Sequence, residues 1–225
     1  MAAERRMGSP DAKNRAVLLD AAEQLMLEEG YAAVSSRRVA GRAGLKPQLV
    51  HYYFRTMDEL FLEVFRRRAE EGLRYHAEVL ASDRPLQALW EFSIDPQGTA
   101  LTMEFMSLAN HRKTIRTEIA RYAEQFRAEQ TRALAGILER AGISTEDIPP
   151  AVVSVVITSL ARVVVMEKAI GMSGGHDETF AFVEKRLREI QVGLAGSPAD
   201  ADGDGLNGDA ANGAGAATAD AGAGD

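Results

Sequence analysis

Residues 35–54 read SSRRVAGRAGLKPQLVHYYF, and their pattern describes two short helices joined by a sharp corner. Ser35 can accept from a free amide at the start of the first helix. Val39, Ala40 and Ala43 recur at helical spacing and form its inner face. Gly44 ends that helix, because glycine tolerates the left-handed backbone of a tight turn. Leu45 fills the corner. Pro47 suits the first turn of the next helix, where its missing N–H costs nothing. The second helix, Pro47 to Tyr53, exposes Gln48, His51 and Tyr52, and Leu49 in part. A short helix held off the body by a partner helix has the shape that enters a DNA major groove.

Ser35, Arg37, Val39 and Ala40 are followed by Ala43, Gly44 and Leu45. Then come Val50, Tyr52 and Phe54, and finally Asp58, Glu59 and Leu60. In order and spacing these residues, with their flanks over about residues 11–65, resemble the DNA-binding domain of the tetracycline-repressor (TetR/AcrR) family. The pattern departs from that family at Lys46, where a Ser or Thr cap is usual, and at Gln48, where glycine is common. It departs also at His51, where tyrosine is common, and at Met57, where a phosphate-contacting lysine is common. The resemblance implies an all-α homodimeric repressor with an N-terminal helix-turn-helix head. It also implies a helical second domain that binds a small, apolar effector and releases the protein from a palindromic operator. A regulator that binds DNA without an effector, or an architectural DNA-binding protein, is the alternative.

Base contacts are expected from the second helix. Gln48 can pair with adenine through two hydrogen bonds, His51 can reach a base edge or a phosphate, and Leu49 can touch a thymine methyl. Ser35, Arg37, Lys46, Tyr52 and Tyr53, with Pro47 at the helix start, are expected at the phosphate backbone, where contacts position without specifying. Tyr53 has a second reading as a packing residue, and Arg38 and Arg42 as solvated surface.

The net charge of −7 is unevenly distributed. Residues 1–68 hold 12 Lys and Arg against 9 Asp and Glu, whereas residues 196–225 hold six Asp and no base. The positive part coincides with the helix-turn-helix, as phosphate contact requires. Cysteine is absent, which excludes disulfides and thiolate chemistry. The N-terminus carries no apolar run of a secretory signal, so a cytoplasmic protein is expected. Residues 151–166, AVVSVVITSLARVVVM, are short for a bilayer span and contain Arg162, so they read as a buried helix.

The expected division is a disordered arm over 1–8, with Arg5 and Arg6 near DNA, a DNA-binding domain over 9–57, a ligand and dimerisation domain over 58–195, and a disordered acidic tail over 196–225. Ser9-Pro10-Asp11 is a helix start, and Gly30 a stop. A long helix opens at Asp58 and runs to about Ala81, linking the head to the second domain as a lever. On it, Arg66, Arg67 and Arg68 read as a solvated face. Pro, Gly and apolar spacing then mark helices over about 86–94, 99–110, 115–141, 150–169 and the segment containing Phe180, Val183, Leu187 and Ile190. No alternating strand pattern occurs.

Candidate effector contacts are Trp90, Phe92, Met103, Phe105, Met106, His111, Tyr122, Phe126, Arg162 and Met166. This assignment follows the resemblance, since aromatic and methionine residues at helical spacing also make ordinary core. The resemblance likewise places a dimer's four-helix bundle at about 150–170 and 177–193. No cofactor and no enzyme activity are expected: the sequence shows no phosphate loop, no nucleophile elbow and no paired-carboxylate motif. His51, His76, His111 and His176 lack metal-ligand spacing. Asp200, Asp202 and Asp204 with Gly205 imitate the start of a calcium loop, but its twelfth position is Ala211 rather than Glu.

Overall fold

The computed structural model describes residues 9–195, with side chains from 13 to 192. The expected arm, the acidic tail and its calcium-like aspartates lie outside these residues. The described residues form α1 (Ser9–Glu29), a 3-10 turn (Tyr31–Ala33), α2 (Ser36–Arg42), α3 (Pro47–Tyr53), α4 (Met57–Leu80), α5 (Pro85–Ser93), α6 (Pro96–Ala109), α7 (Lys113–Arg140), α8 (Pro150–Ala169) and α9 (His176–Ala195). Among them there is no strand, and the fold class is all-α.

Punctuation residues explain most of the boundaries. Ser35, Thr56 and Asp95 each cap a helix by accepting from the backbone N–H three residues on. Proline occupies the first turn of α3, α5, α6 and α8. The lever α4 begins at Met57 rather than Asp58, because Thr56 is the better cap: its Oγ1 accepts from Glu59 N at 3.1 Å. Glu59 in turn accepts from Arg55 N at 2.8 Å, a reciprocal arrangement close to a capping box.

Two apolar cores form. The first is built by α1 to α4 around Leu18, Leu25, Met26, Val39, Val50, Phe54, Leu60 and Val64, and continues into Leu101, Phe105 and Leu108 of α6 and Ile115 of α7. The second joins α4, α5, α7, α8 and α9 through Val79, Leu86, Leu89, Trp90, Leu134, Ile137, Ile157, Ala161, Val183 and Leu187. Packing of α6 on the head therefore ties the upper helices to the DNA-binding end. Glu104 of α6 accepts from Tyr31 N at 2.6 Å, and Arg112 pairs with Asp58.

The basic run on α4 is not a solvated face. Arg67 pairs with Asp20 at 2.6 Å and Glu23 at 2.9 Å on α1, Arg68 with Glu23 at 3.4 Å, and Arg66 with Glu118 of α7 at 2.6 Å. Successive residues on a helix are turned by about 100°, so Arg66 reaches α7 while Arg67 and Arg68 reach α1 and share Glu23. Hydrogen bonds from Arg121 and then Arg66 hold the Glu118 carboxyl at about 2, well below its ordinary 4.5. A carboxylate lowered in this way adds stability above about 4.5 and loses it as the pH falls toward 2. Glu118→Gln is expected to destabilise the protein by about 1 kcal/mol or less at pH 7, since both guanidiniums are half-exposed. In urea melts the deficit should shrink between pH 4.5 and pH 2. A deficit independent of pH would show that the carboxylate is not held ionised.

The apolar helix α8 is only half inside. It is long and apolar enough to cross a membrane by length and composition, with mean hydropathy 1.7, yet 22% of that window is buried. Ser154, Ile157, Ala161 and Val164 face inward, while Val152, Val155, Val156, Val163, Met166 and Ile170 face out. The expectation of a buried helix is thus corrected: apolar residues lie all round it, and this chain covers one side.

Candidate nucleic-acid interface and effector cavity

The helix-turn-helix is built as its residue types require. Ser35 Oγ accepts from Arg38 N at 3.4 Å. Gly44 has φ 67°, and Leu45 N donates to Ala40 O at 2.9 Å, closing the end of α2. Val39, Ala40, Val50 and Phe54 are buried and fix α2 and α3 on the head's core. Gln48, His51, Lys46 and Pro47 are exposed, Leu49 and Tyr53 are half-buried, and Tyr52 is 51% exposed. Tyr52 and Tyr53 meet edge to face at 4.9 Å, and Tyr53 also packs on the core, which fits its second reading. The outer side of α3 therefore presents a glutamine, a histidine and a tyrosine on one short rod.

The cations around this rod divide into two groups. Arg38 pairs with Glu29, and Arg42 with Glu28 at 2.5 Å, so both are tied back to α1. Among the described residues, Arg37, Lys46 and Arg55 have no carboxylate partner, and all three are exposed. Arg55 was not anticipated from sequence. Its position follows from Phe54, which turns inward at the end of α3 and leaves the next residue on the outside.

Further up, α4, α5, α6, α7 and α8 enclose a cavity of about 360 Å³. Five expected effector contacts line it: Phe92, Phe105, Tyr122, Phe126 and Arg162. The other five do not. Trp90 is 1% exposed within the second core, edge to face with Phe180 at 5.7 Å. Met103, Met106, His111 and Met166 point outward. Helical periodicity groups residues on one face of one helix, but which faces converge depends on how the helices cross. Phe65 and Gly72 of α4 line the cavity too, and neither stood out in the sequence. A Cβ at Gly72 would lie 3.3 Å from Phe126 Cζ, close enough that the ring would have to shift by a few tenths of an ångström. Arg68, Thr99, Thr102, Arg127, Gln130 and Thr158 also line the cavity, and no local pattern in the sequence separates them from other polar helix positions. A second hollow, of about 700 Å³, adjoins this cavity and shares Arg68, Gly72, Phe92 and Asp95 with it.

The cavity wall and the head's core share residues. Leu101 and Phe105 belong to both, and Phe65 packs against both, meeting Phe105 at 5.2 Å and Tyr122 at 5.6 Å. His76 of α4 is 1% exposed beside Phe92 and Phe126, and its Nδ1 has no hydrogen-bond partner. Burial lowers its pKa from the ordinary 6.5. No group of His, Asp or Glu among the described residues is arranged to hold a metal.

A capped two-helix corner, a polar outer face on the second helix and unpaired cations beside it define a helix-turn-helix DNA-binding protein. Residues 18–64 match the family model described as bacterial regulatory proteins, tetR family. Solved structures share the whole fold. A TetR transcription regulator from Haloarcula marismortui superposes with a TM-score of 0.64 at 17% identity, covering 80% of this chain and 97% of that one. Salmonella enterica GusR gives 0.62 at 17% identity, with 84% and 97% covered. A protein assigned as a transcriptional regulator of Saccharomonospora viridis, in complex with choline, gives 0.62 at 16% identity, with 82% and 97% covered. A comparison with curated proteins gives no match. Residues 18–64 thus match the DNA-binding region of the tetR family of bacterial regulatory proteins, and the described residues share the fold of these solved transcriptional regulators.

Proposed function

We propose that this regulator is a homodimeric repressor that reads a palindromic operator and is released from it by a small molecule bound in the 360 Å³ cavity. The observation that carries this reading is the shared wall. Leu101 and Phe105 contribute both to the cavity and to the core on which α1 and α4 rest, so an occupant of the cavity presses on the DNA-binding head. A cytoplasmic, non-enzymatic protein goes with this reading. So does a division into a head over 9–57 and an effector domain over 58–195, joined by α4. The Saccharomonospora viridis structure, in complex with choline, supports a small molecule as partner of this fold.

Two copies are proposed to meet through α8 and α9. Val152, Val155, Val156, Val163, Ile170, Phe182 and Val192 are exposed on these helices, an apolar surface that an isolated chain would leave in water. The symmetry of such a dimer would present two α3 helices to successive major grooves. Release then requires the effector to bind the mis-spaced state more tightly, and DNA must weaken the effector by the same factor.

Within the head, Gln48 and His51 are assigned to base edges, with Leu49 beside them. Ser35, Arg37, Lys46, Arg55, Tyr52 and Tyr53 are assigned to phosphates, with Pro47 setting the start of α3. Gln48→Ala and His51→Ala are expected to weaken operator binding by roughly 1–3 kcal/mol each while leaving binding to scrambled DNA nearly unchanged. Arg37→Ala and Lys46→Ala should weaken both DNAs alike and flatten the salt dependence. Gel-shift titrations on the two DNAs decide the assignment: equal losses for the Gln48 variant would remove it from base reading.

A further inference from the structure

Three arginines reach the cavity wall, and they are not equivalent. Arg68 is neutralised by Glu23 and Glu71. Arg127 of α7 has no carboxylate partner. Its Nη1 donates to Ser154 Oγ at 2.8 Å and Thr158 Oγ1 at 3.4 Å, two neutral hydroxyls of α8. Ser154 in turn donates to Gln130, and Thr158 Oγ1 donates to Ser154 O at 2.8 Å, so the guanidinium is aimed by a chain of hydrogen bonds. Its Nε and Nη2 find no acceptor among the described residues. Arg162, one turn beyond Thr158 on α8, makes no hydrogen bond or ion pair with any described residue.

The negative groups nearby are already engaged. Asp95, the one carboxylate of the wall, accepts from Gly98 N at 2.6 Å as the cap of α6. In the adjoining hollow, Glu71 is held by Arg68 at 3.0 Å, and Glu91 accepts from Gln87 at 2.9 Å. Much of the remaining lining is apolar, with Phe65, Phe92, Phe105 and Phe126. A half-buried guanidinium with open donors, in a cavity lined also by aromatic rings, is complementary to a planar anion carried on an apolar body.

We infer that the effector of this regulator is an amphipathic carboxylate, its carboxyl group bound by Arg127 and Arg162 and its apolar body lodged against the four phenylalanines. The inference rests on the effector reading above and names the chemistry that reading leaves open. Apolar side chains make up most of the wall, but not the part held by Arg127 and Arg162. A cation such as choline suits this cavity poorly, because it would sit beside two uncompensated arginines.

The test uses sets of three ligands that share a body and differ in head group. The sets are 4-phenylbutyrate, 4-phenylbutanol and 4-phenylbutylamine; octanoate, octanol and octylamine; and indole-3-propionate with its alcohol and amine. Each is titrated calorimetrically into the full-length protein. In at least one set the carboxylate is expected to bind about tenfold or more tightly than the alcohol, with the amine weakest. Arg162→Gln should cut that preference to about twofold and Arg162→Lys should restore part of it. Arg162 makes no structural hydrogen bond, so its variants should keep the wild-type melting temperature. Arg127→Lys, which keeps the charge but loses the planar fork, should weaken the carboxylate more than the alcohol. Alcohols or amines binding as tightly as carboxylates would overturn the proposal and leave the effector reading standing. So would a carboxylate preference that survives Arg162→Gln, or inorganic phosphate competing as well as any carboxylate. No binding by any ligand of any set would overturn both.

Discussion

Val155→Asp combined with Phe182→Asp is expected to turn the protein into monomers and to lower operator affinity by about 100-fold or more. Val155 and Phe182 are 47% and 59% exposed on α8 and α9. In a dimer closed by these helices both would be buried, and a carboxylate placed there would lose its hydration with no partner to compensate it. Loss of the dimer removes the second head from each binding event, and tethering two modules typically strengthens binding by about 10²–10⁴-fold. The folded monomer should survive, because neither side chain belongs to either core. Analytical ultracentrifugation and operator titration on the same sample read the two effects. A double variant that stays dimeric would show that this face is not the interface. A monomer that keeps full operator affinity would remove the need for two heads.

Trp90→Ala is expected to cost about 3–5 kcal/mol of folding stability. The indole is 1% exposed at the centre of the second core, among Leu86, Leu89, Leu134 and Ile137, with Phe180 edge-on to it. Removing it leaves a void that rigid helices on several sides cannot close. The expected loss is a lower urea midpoint with an unchanged slope. A cavity residue such as Phe126, which is only half-buried, should cost less on truncation, because its surroundings already include open space. The contrast separates core from ligand wall. If Trp90→Ala left stability nearly intact but abolished effector binding, the indole would belong to the effector site after all.

Much of the head could be read directly from the chain because its signals are local. Ser35, Gly44 and Pro47 set their helix boundaries through bonds that reach no further than five residues. The two short helices, the exposed glutamine and histidine, and the half-buried Leu49 all follow from that spacing and from one apolar face. Capping chemistry was decided locally even where the boundary was misjudged. Thr56 caps α4, which starts at Met57 and not at Asp58, and the spacing of Thr56 and Glu59 is itself a local sequence signal.

The charges and the cavity depended on tertiary structure. Arg66, Arg67 and Arg68 look alike in sequence, yet each meets its own set of carboxylates on α1, α4 or α7, up to 52 residues away, with Glu23 shared by Arg67 and Arg68. The same holds for Arg38 and Arg42, which α1 holds, against Arg37 and Lys46, which it does not. Trp90 and Phe92 sit two positions apart on α5, so they face different ways, one into the second core and one into the cavity. Met106 and Phe105 are adjacent, and only Phe105 is inside. The sequence alone determined that these helices exist, that they are amphipathic, and that one end carries a DNA-reading corner, because such properties depend on periods of a few residues. Which faces converge on a shared space, and which arginines are left there without a partner, depended on the crossing of five helices far apart in the chain. That crossing is set by the packing of whole surfaces, which no local period encodes.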